Sequence, residues 1–367
     1  MLKWITWIVA LAVLALAAYL VLWPVPIRAL PWAVPSPPGY VGAHAVNQRL
    51  ARLQVIALGG EVGPEHVAFG PDGKLYAATA SGKILRMAAD GSGQQVFADT
   101  GGRVLGFSFD AAANMIAADA VKGLLSIAPD GKASVLVDKW GGAPIRYADA
   151  VVVARSGLVY FSDASTRFGP ADWGGTFEAS VLDILEQSAT GRILVHDPAS
   201  GKTAVVARGL SFANGVALSA DERWLFVAET GRYRVWKIAI DARNLDLAAG
   251  PSAQARVLLD NLPGYPDNLM RGEEGRIWVG LTKPRSAAID GMAGKPWLRE
   301  MTLRLPRSLW PVPPAYGHVF AFTEDGAVVA DLQDPSGAYP ETTAVTETGD
   351  RLYVQSLHAK GLGWKPK

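Results

Sequence analysis

Residues 212–237 read FANGVALSADERWLFVAETGRYRVWK, and this stretch decides the fold. An alternating apolar run, GVAL, enters the polar turn SADER and leaves through a second apolar run, WLFVA, which is the pattern of a β-hairpin. Weaker copies begin GPEHVAFGPDGKLYAA at Gly63, LGFSFDAAANMIAAD at Leu105, YADAVVVARSGLVYFSD at Tyr147, YPDNLMRGEEGRIWVG at Tyr265 and TTAVTETGDRLYV at Thr342. With the stretch at Phe212 they make six.

An aromatic or aliphatic residue of each second strand fixes a common register: Tyr76, Ile116, Tyr160, Phe226, Trp278 and Tyr353, about 40 to 75 residues apart. That spacing suits four-stranded propeller blades with insertions. A sandwich gives no reason for six copies of one hairpin. The expected fold is all-β, a six-bladed β-propeller over residues 46–367.

Composition narrows the function. Lys and Arg total 35 against 34 Asp and Glu, so net charge implies no basic face and nucleic acid is not an expected partner. The chain has no cysteine, which excludes disulfides, thiolate catalysis and cysteine-ligated zinc.

Residues 4–23 are uncharged and almost wholly apolar, and about 20 helical residues at 1.5 Å each cross a bilayer core of roughly 30 Å. Trp4, Trp7, Tyr19 and Trp23 stand towards its ends, where amphipathic rings favour the interface. A transmembrane anchor over residues 1–23 is therefore expected. A cleaved signal peptide is the alternative, with Ala15-Leu16-Ala17 as its small-residue site. Lys3 precedes the helix and Arg28 follows it, a weak bias towards a cytoplasmic N-terminus and an extracytoplasmic propeller, periplasmic or lumenal. Residues 24–45 form a linker, and its prolines at 24, 26, 32, 35, 37 and 38 read as a stiff spacer that holds the domain off the membrane.

The start of each hairpin carries the chemistry. Counting back 11 residues from the marker reaches Glu65, Asp149, Asp267 and Thr342, and counting back 12 reaches Asn214, because the turn ADER adds a residue. The second copy offers Leu105 instead. Equivalent positions of successive blades surround the axis of a propeller, so these side chains should converge at one end of the channel. Three carboxylates and an amide in a narrow tunnel repel unless one protonates or a cation sits among them. Oxygen-only donors favour a hard ion, with calcium ahead of magnesium because the donors come from well-separated blades. Asn268, beside Asp267, adds a further amide. The bland reading is that such residues cap strand ends, where Asp and Asn are common.

The stretch at Phe212, followed by LPGYPDNL at Leu262, resembles the signature of the strictosidine synthase-like propellers, especially the branch containing adipocyte plasma membrane-associated protein. The similarity runs from about Gly63 to Tyr353, and the N-terminal anchor matches that branch too. More distantly the chain is similar to gluconolactonases and paraoxonases, whose propellers hold a catalytic calcium at blade starts. That resemblance implies Glu65, Asn214 and Asp267 as metal ligands, with Asn268 added by similarity to paraoxonases. The third blade departs from the pattern, since Asp149 replaces the usual Asn. The implied activity is hydrolysis of esters or lactones, with a cation polarising the carbonyl and Asp267 or Asp149 as the base. His66, after Glu65, is a further candidate base, although neighbours on a strand point to opposite sides.

Strictosidine synthase itself joins an amine to an aldehyde through a glutamate of the last blade. Aligning on RLYV puts Thr343 there, with Glu341 two residues earlier, which makes condensation the lesser expectation. A non-catalytic binding propeller is a further alternative. His358 is expected near the channel, whereas His44, His196 and His318 are scattered and read as structural or exposed. Asp163 is read as structural, and Glu229 as an ion-pair partner of Arg232 and Arg234. Two insertions interrupt the repeat. Residues 176–187 have helical spacing and are expected over the channel mouth. Residues 284–313 interleave Lys295, Arg299, Arg304 and Arg307 with Trp297, Leu298, Met301, Leu305 and Trp310, a pattern of either a membrane-surface segment or a packed lid.

Overall fold

The computed structural model describes residues 2–367. Six antiparallel sheets follow one another around an axis as the blades of a propeller. Their innermost strands are His66–Phe69, Val104–Phe109, Ala148–Val153, Ala213–Leu218, Gly264–Arg271 and Thr342–Glu347, in blades 1 to 6. The markers read from the sequence all fall on the second strands. Tyr76 pairs with Ala68, Ile116 with Ser108, Tyr160 with Val152, Phe226 with Ala217, Trp278 with Met270 and Tyr353 with Thr346. The core is the set of apolar layers between neighbouring blades. One such layer joins Ile193, Val206, Val216, Leu225, Val227 and Trp236 of blades 3 and 4.

The sequence repeat did not reveal how the ring closes. Gln54–Ala57 pairs antiparallel with Gly361–Pro366, so a strand that precedes the first hairpin completes blade 6 as its outermost member. This zips the two ends of the chain into one sheet and leaves no open seam in the ring.

The N-terminal helix spans Leu2–Leu22, and its apolar stretch is long enough to cross a membrane. The segment after it is not a free spacer, which corrects the expectation drawn from its prolines. Ile27 and Ala29 are buried, and backbone N–H groups of Arg28 and Leu30 donate to the side chain and backbone carbonyl of Glu186. The N–H of Trp32 donates to the carbonyl of Ala293, and Arg285 and Asn261 bond the carbonyls of Pro35 and Ser36. Proline here supplies an extended strap whose carbonyls, having no helix to satisfy, are taken up by side chains of the propeller.

Both insertions pack where the strap crosses. Thr176–Glu186 is helical, as expected, and contacts the short helix Pro296–Thr302. Arg299, Arg304 and Arg307 of the second insertion are engaged within the protein, which favours the lid reading. Arg299 is buried and donates to the carbonyls of Leu185, Leu30 and Ala293. Arg304 bonds the carbonyls of Trp23 and Leu20 at the C-terminal end of the apolar helix, where the helix dipole favours a cation. Arg307 pairs with Glu178 of the other insertion at 2.9 Å.

Asp183, on the first insertion helix, is fully buried, and burial pushes its carboxyl up to about 7 from an ordinary 3.8. Between those pH values the folded protein keeps a proton that the unfolded chain releases, so stability falls as pH rises through this window. Asp183→Asn is expected to raise Tm by roughly 3 °C or more at pH 8 and to leave it nearly unchanged at pH 4. A thermal melt at both pH values checks it.

Candidate functional site

In blades 2 to 6 a bulge near the start of the inner strand aims the candidate side chain. Regular pairing breaks between Val104 and Gly106, Ala148 and Val151, Ala213 and Val216, Pro266 and Leu269, and Thr342 and Val345. Leu105, Asp149, Asn214, Asp267 and Thr343 are the first residues inside these breaks. A bulge leaves its residue unpaired and turns the side chain out of the alternation. Glu65 holds the corresponding place in blade 1, immediately before His66, which pairs with Ala78.

In the last blade the equivalent position is Thr343, and the count to Thr342 was one residue off. The turn between Thr346 and Tyr353 is one residue shorter than those of blades 1, 2, 3 and 5. Thr342 instead turns its hydroxyl to the carbonyl and N–H of His318. The Thr343 hydroxyl donates to the backbone oxygen of Glu65 at 2.8 Å.

Glu65, Asp149, Asn214 and Asp267 line one cavity at this end of the channel, together with Arg103, Tyr147, Phe177, Ser180 and His358. All four are buried. Burial raises the Asp149 carboxyl well above its ordinary range, and the charges of Asp267 and Glu65 raise it further. Asp267 is raised in the same way by burial and Glu65, opposed by the Asn268 N–H at 2.9 Å and by the Asn214 amide. Burial also lifts Glu65, even though the Arg103 guanidinium pairs directly with it.

Arg103 is the residue that the repeat concealed. It precedes the bulge of blade 2 by two positions, in the copy whose own bulge residue is Leu105, so the blade without an oxygen donor contributes a cation instead. Three carboxylates against one guanidinium leave a buried excess of negative charge. The Oδ1 atom of Asn214 has no partner. An unsatisfied amide oxygen beside carboxylates suits a hard divalent cation better than it suits any neutral occupant.

Asn268 and His66 sit differently from these four. Asn268 donates to the backbone oxygen of Glu65 at 3.2 Å, and with His66 it borders a separate cleft that also contains Ser108 and Val152. The His66 ring packs edge-on against Phe107 at 4.6 Å between centroids, and burial pushes its pKa down to about 4. Strand alternation turns it away from the carboxylates, so it does not reach them as a base.

His358 does face the cavity. Its Nδ1 bonds Glu341, which raises the imidazole pKa. Burial would raise Glu341, but bonds from His358 and from Lys283, at 2.9 Å, outweigh it and hold the carboxyl at about 2. Beside this polar end lies a mostly apolar cavity of about 140 Å³ between the two insertions. Phe177, Val181, Ile184, Ile289 and Trp310 line it, and Asp267 and Glu341 stand at its edge.

Asp163 and Glu229 are structural, as read from the sequence. Asp163 accepts the N–H of Tyr147 at 3.0 Å and pairs with Arg192, and Glu229 accepts the N–H of Ser211 at 2.9 Å and pairs with Arg234 and Arg232. Asp119 does the same for the N–H of Arg103 at 3.1 Å. Each acid fixes the chain just ahead of a bulge.

Neighbouring inner strands nearly touch at the site. A Cβ on Gly215 would lie 2.4 Å from the backbone oxygen of Asp267 and the nitrogen of Leu269. Gly215→Ala is therefore expected to cost about 1–3 kcal/mol by overpacking, whereas Gly291→Ala, on a helix with nothing within 4 Å, should not destabilise. Urea unfolding of the two variants checks the contrast.

The comparisons with known proteins agree with this architecture. A strictosidine synthase-like N-terminal domain matches residues 42–87, and a strictosidine synthase domain matches residues 149–243. Strictosidine synthase-like protein 10 of Arabidopsis thaliana is 30% identical over 357 residues, covering 89% of this chain and 91% of that protein. Adipocyte plasma membrane-associated protein of Salmo salar is 29% identical over 350 residues, covering 88% and 80%. Among solved structures, a gluconolactonase from Xanthomonas campestris superposes with a TM-score of 0.60 at 20% identity, over 92% of this chain and 97% of that one. Regucalcin from Agrobacterium tumefaciens, described as a calcium-binding protein, gives 0.57 at 16% identity, over 85% and 92%. At such identities these two structures speak for the fold alone. With its sequence in agreement over nearly its whole length, the chain belongs to the strictosidine synthase-like family.

Proposed function

We propose that this protein is a membrane-anchored hydrolase of esters or lactones that depends on a divalent cation, calcium by the nature of its donors. The observation that carries the reading is the buried excess of carboxylate at Glu65, Asp149 and Asp267, with the Asn214 oxygen unpaired beside them. Glu65, Asn214 and Asp267 would hold the ion, with Asp149 adding a further negative charge beside it. When bound, such an ion polarises a carbonyl and stabilises the oxyanion. The fold-level likeness to a gluconolactonase and to a calcium-binding regucalcin supports the same reading.

The residues have separable tasks. Asp267 or Asp149, whichever carboxylate oxygen is left free, accepts the proton of the attacking water. The His358 imidazolium, held by Glu341, presents a second positive group to the cavity. The apolar cavity between the insertions takes the hydrocarbon part of the substrate and keeps water off it. The helix Leu2–Leu22 anchors the chain, with the propeller on the extracytoplasmic side.

Amine and aldehyde condensation has less support. The Thr343 hydroxyl is spent on the backbone of Glu65 and has no useful acidity, and Glu341 is held ionised by Lys283 and His358.

The test is a panel of aryl esters and lactones with and without chelator. Hydrolysis should require the ion, and Asp267→Ala should lower kcat/KM by about 100-fold or more with the fold retained; unchanged turnover would falsify the reading. Because the site carboxyls are raised, protons compete with the ion as pH falls. Millimolar calcium is expected to raise Tm at pH 8 and to do so much less at pH 5, and calorimetry at both pH values reads this directly.

A further inference from the structure

A second cluster lies far from the channel carboxylates in the chain's organisation, on the outer strands of blade 5. His318 comes from Gly317–Phe322 and Asp331 from Val328–Asp334, and His44 comes from the strap, on the short turn Gly42–His44. His44 Nδ1 lies 2.7 Å and His318 Nε2 2.8 Å from the same oxygen, Oδ2 of Asp331. Among the described residues this is the one set of three acidic or imidazole groups whose ligand atoms all lie within 4.8 Å of one another.

The surroundings are those of a built site. The other oxygen of Asp331 accepts from the Asn47 amide at 2.9 Å and from the Gln333 amide at 2.5 Å, so the carboxylate is fixed in direction. Tyr316 in turn bonds Gln333 at 2.7 Å. Asp331 and His318 are 5% and 1% exposed, and no lysine or arginine pairs with this buried anion. Two polar groups in the cluster lack any partner, Nδ1 of His318 and the hydroxyl of Tyr40, whose ring stacks on Tyr316 at 4.8 Å and lies 5.6 Å from His318. A buried anion facing two imidazoles, with a hydroxyl left over, asks for a cation that brings an open coordination position.

We propose that His44, His318 and Asp331 bind a divalent transition-metal ion, zinc by its ligand chemistry, which staples the strap to blade 5. Two nitrogens and one carboxylate oxygen suit zinc, and a water in the fourth position would offer Tyr40 a partner. Ligand bonds of about 2.0–2.2 Å in tetrahedral geometry require the nitrogen-to-oxygen separations to open to about 3.3 Å. His44 stands on a short turn and is the most exposed of the three, so it can move by that amount and it gives the ion a way in. Asn47 and Gln333 hold the carboxylate from behind, as groups outside a metal's ligands commonly do. The strap is further tied here by Gln333, whose side chain bonds the His44 carbonyl and whose backbone oxygen accepts the Leu50 N–H. The ion would therefore fix the route from membrane helix to propeller.

Full-length protein in detergent, stripped by chelator and titrated with Co2+, tests this. One equivalent should bind with the intense visible absorption of tetrahedral cobalt, be displaced by Zn2+, and raise Tm. His44→Ala should weaken binding by about 100-fold or more, while Asp267→Ala should leave it unchanged. His44→Cys, which keeps a ligand atom, should restore binding and shift the absorption. Micromolar Co2+ and Zn2+ that fail to bind, or that bind equally well to His44→Ala, overturn the proposal and leave the cluster as a hydrogen-bonded pair of imidazoles on an aspartate.

Discussion

The inner strands of neighbouring blades approach so closely that backbone meets backbone. Gly106 faces the chain at Asp149 and Ala150, Gly215 faces Asp267 to Leu269, and Gly280, on the second strand of blade 5, faces Thr342 and Thr343, all at distances that exclude a Cβ. Strands in such contact cannot remain regular where their side chains must also enter a narrow channel. The bulges resolve the conflict by releasing one residue from pairing, and that residue becomes the donor. Fold and site thus have one cause, and the acids Asp119, Asp163 and Glu229, which grip the N–H groups ahead of three of the bulges, keep it in register.

The same crowding sets the electrostatics. Carboxylates aimed into one small volume cannot all ionise without compensation, and Arg103 supplies only part of it. A site assembled from separate blades is costly to hold together, and the rigidity of six packed sheets is what holds it. The lid insertions add a second property, an apolar cavity immediately beside the charged end, so one bound molecule meets both environments.

Much of this was legible from sequence because hairpin periodicity and turn length carry register. Glu65, Asp149, Asn214 and Asp267 followed from counting along a repeated pattern, and the pattern survives because each blade packs on its neighbours in the same way. Thr343 was missed by one position because a shortened turn alters the count without altering the alternation. Arg103 was missed because its side chain reaches sideways to Glu65 of the preceding blade, and no local period encodes that. The strap was misread for a related reason: proline content predicts an extended chain but says nothing of what accepts its carbonyls. His44, His318 and Asp331 lie far apart in sequence, and only the third dimension brings them together.

The closure of blade 6 bears on how the molecule is made. Its outermost strand begins at Gln54, but the partner strand begins at Gly361, after every strand of blades 1 to 5. Blades 1 to 5 can form in order as the chain emerges, yet the ring stays unlocked until Gly361–Pro366 has emerged too. Contacts of such long sequence separation form slowly. The final locking step therefore joins a strand that has waited exposed, unpaired, to one made after all of blades 1 to 5.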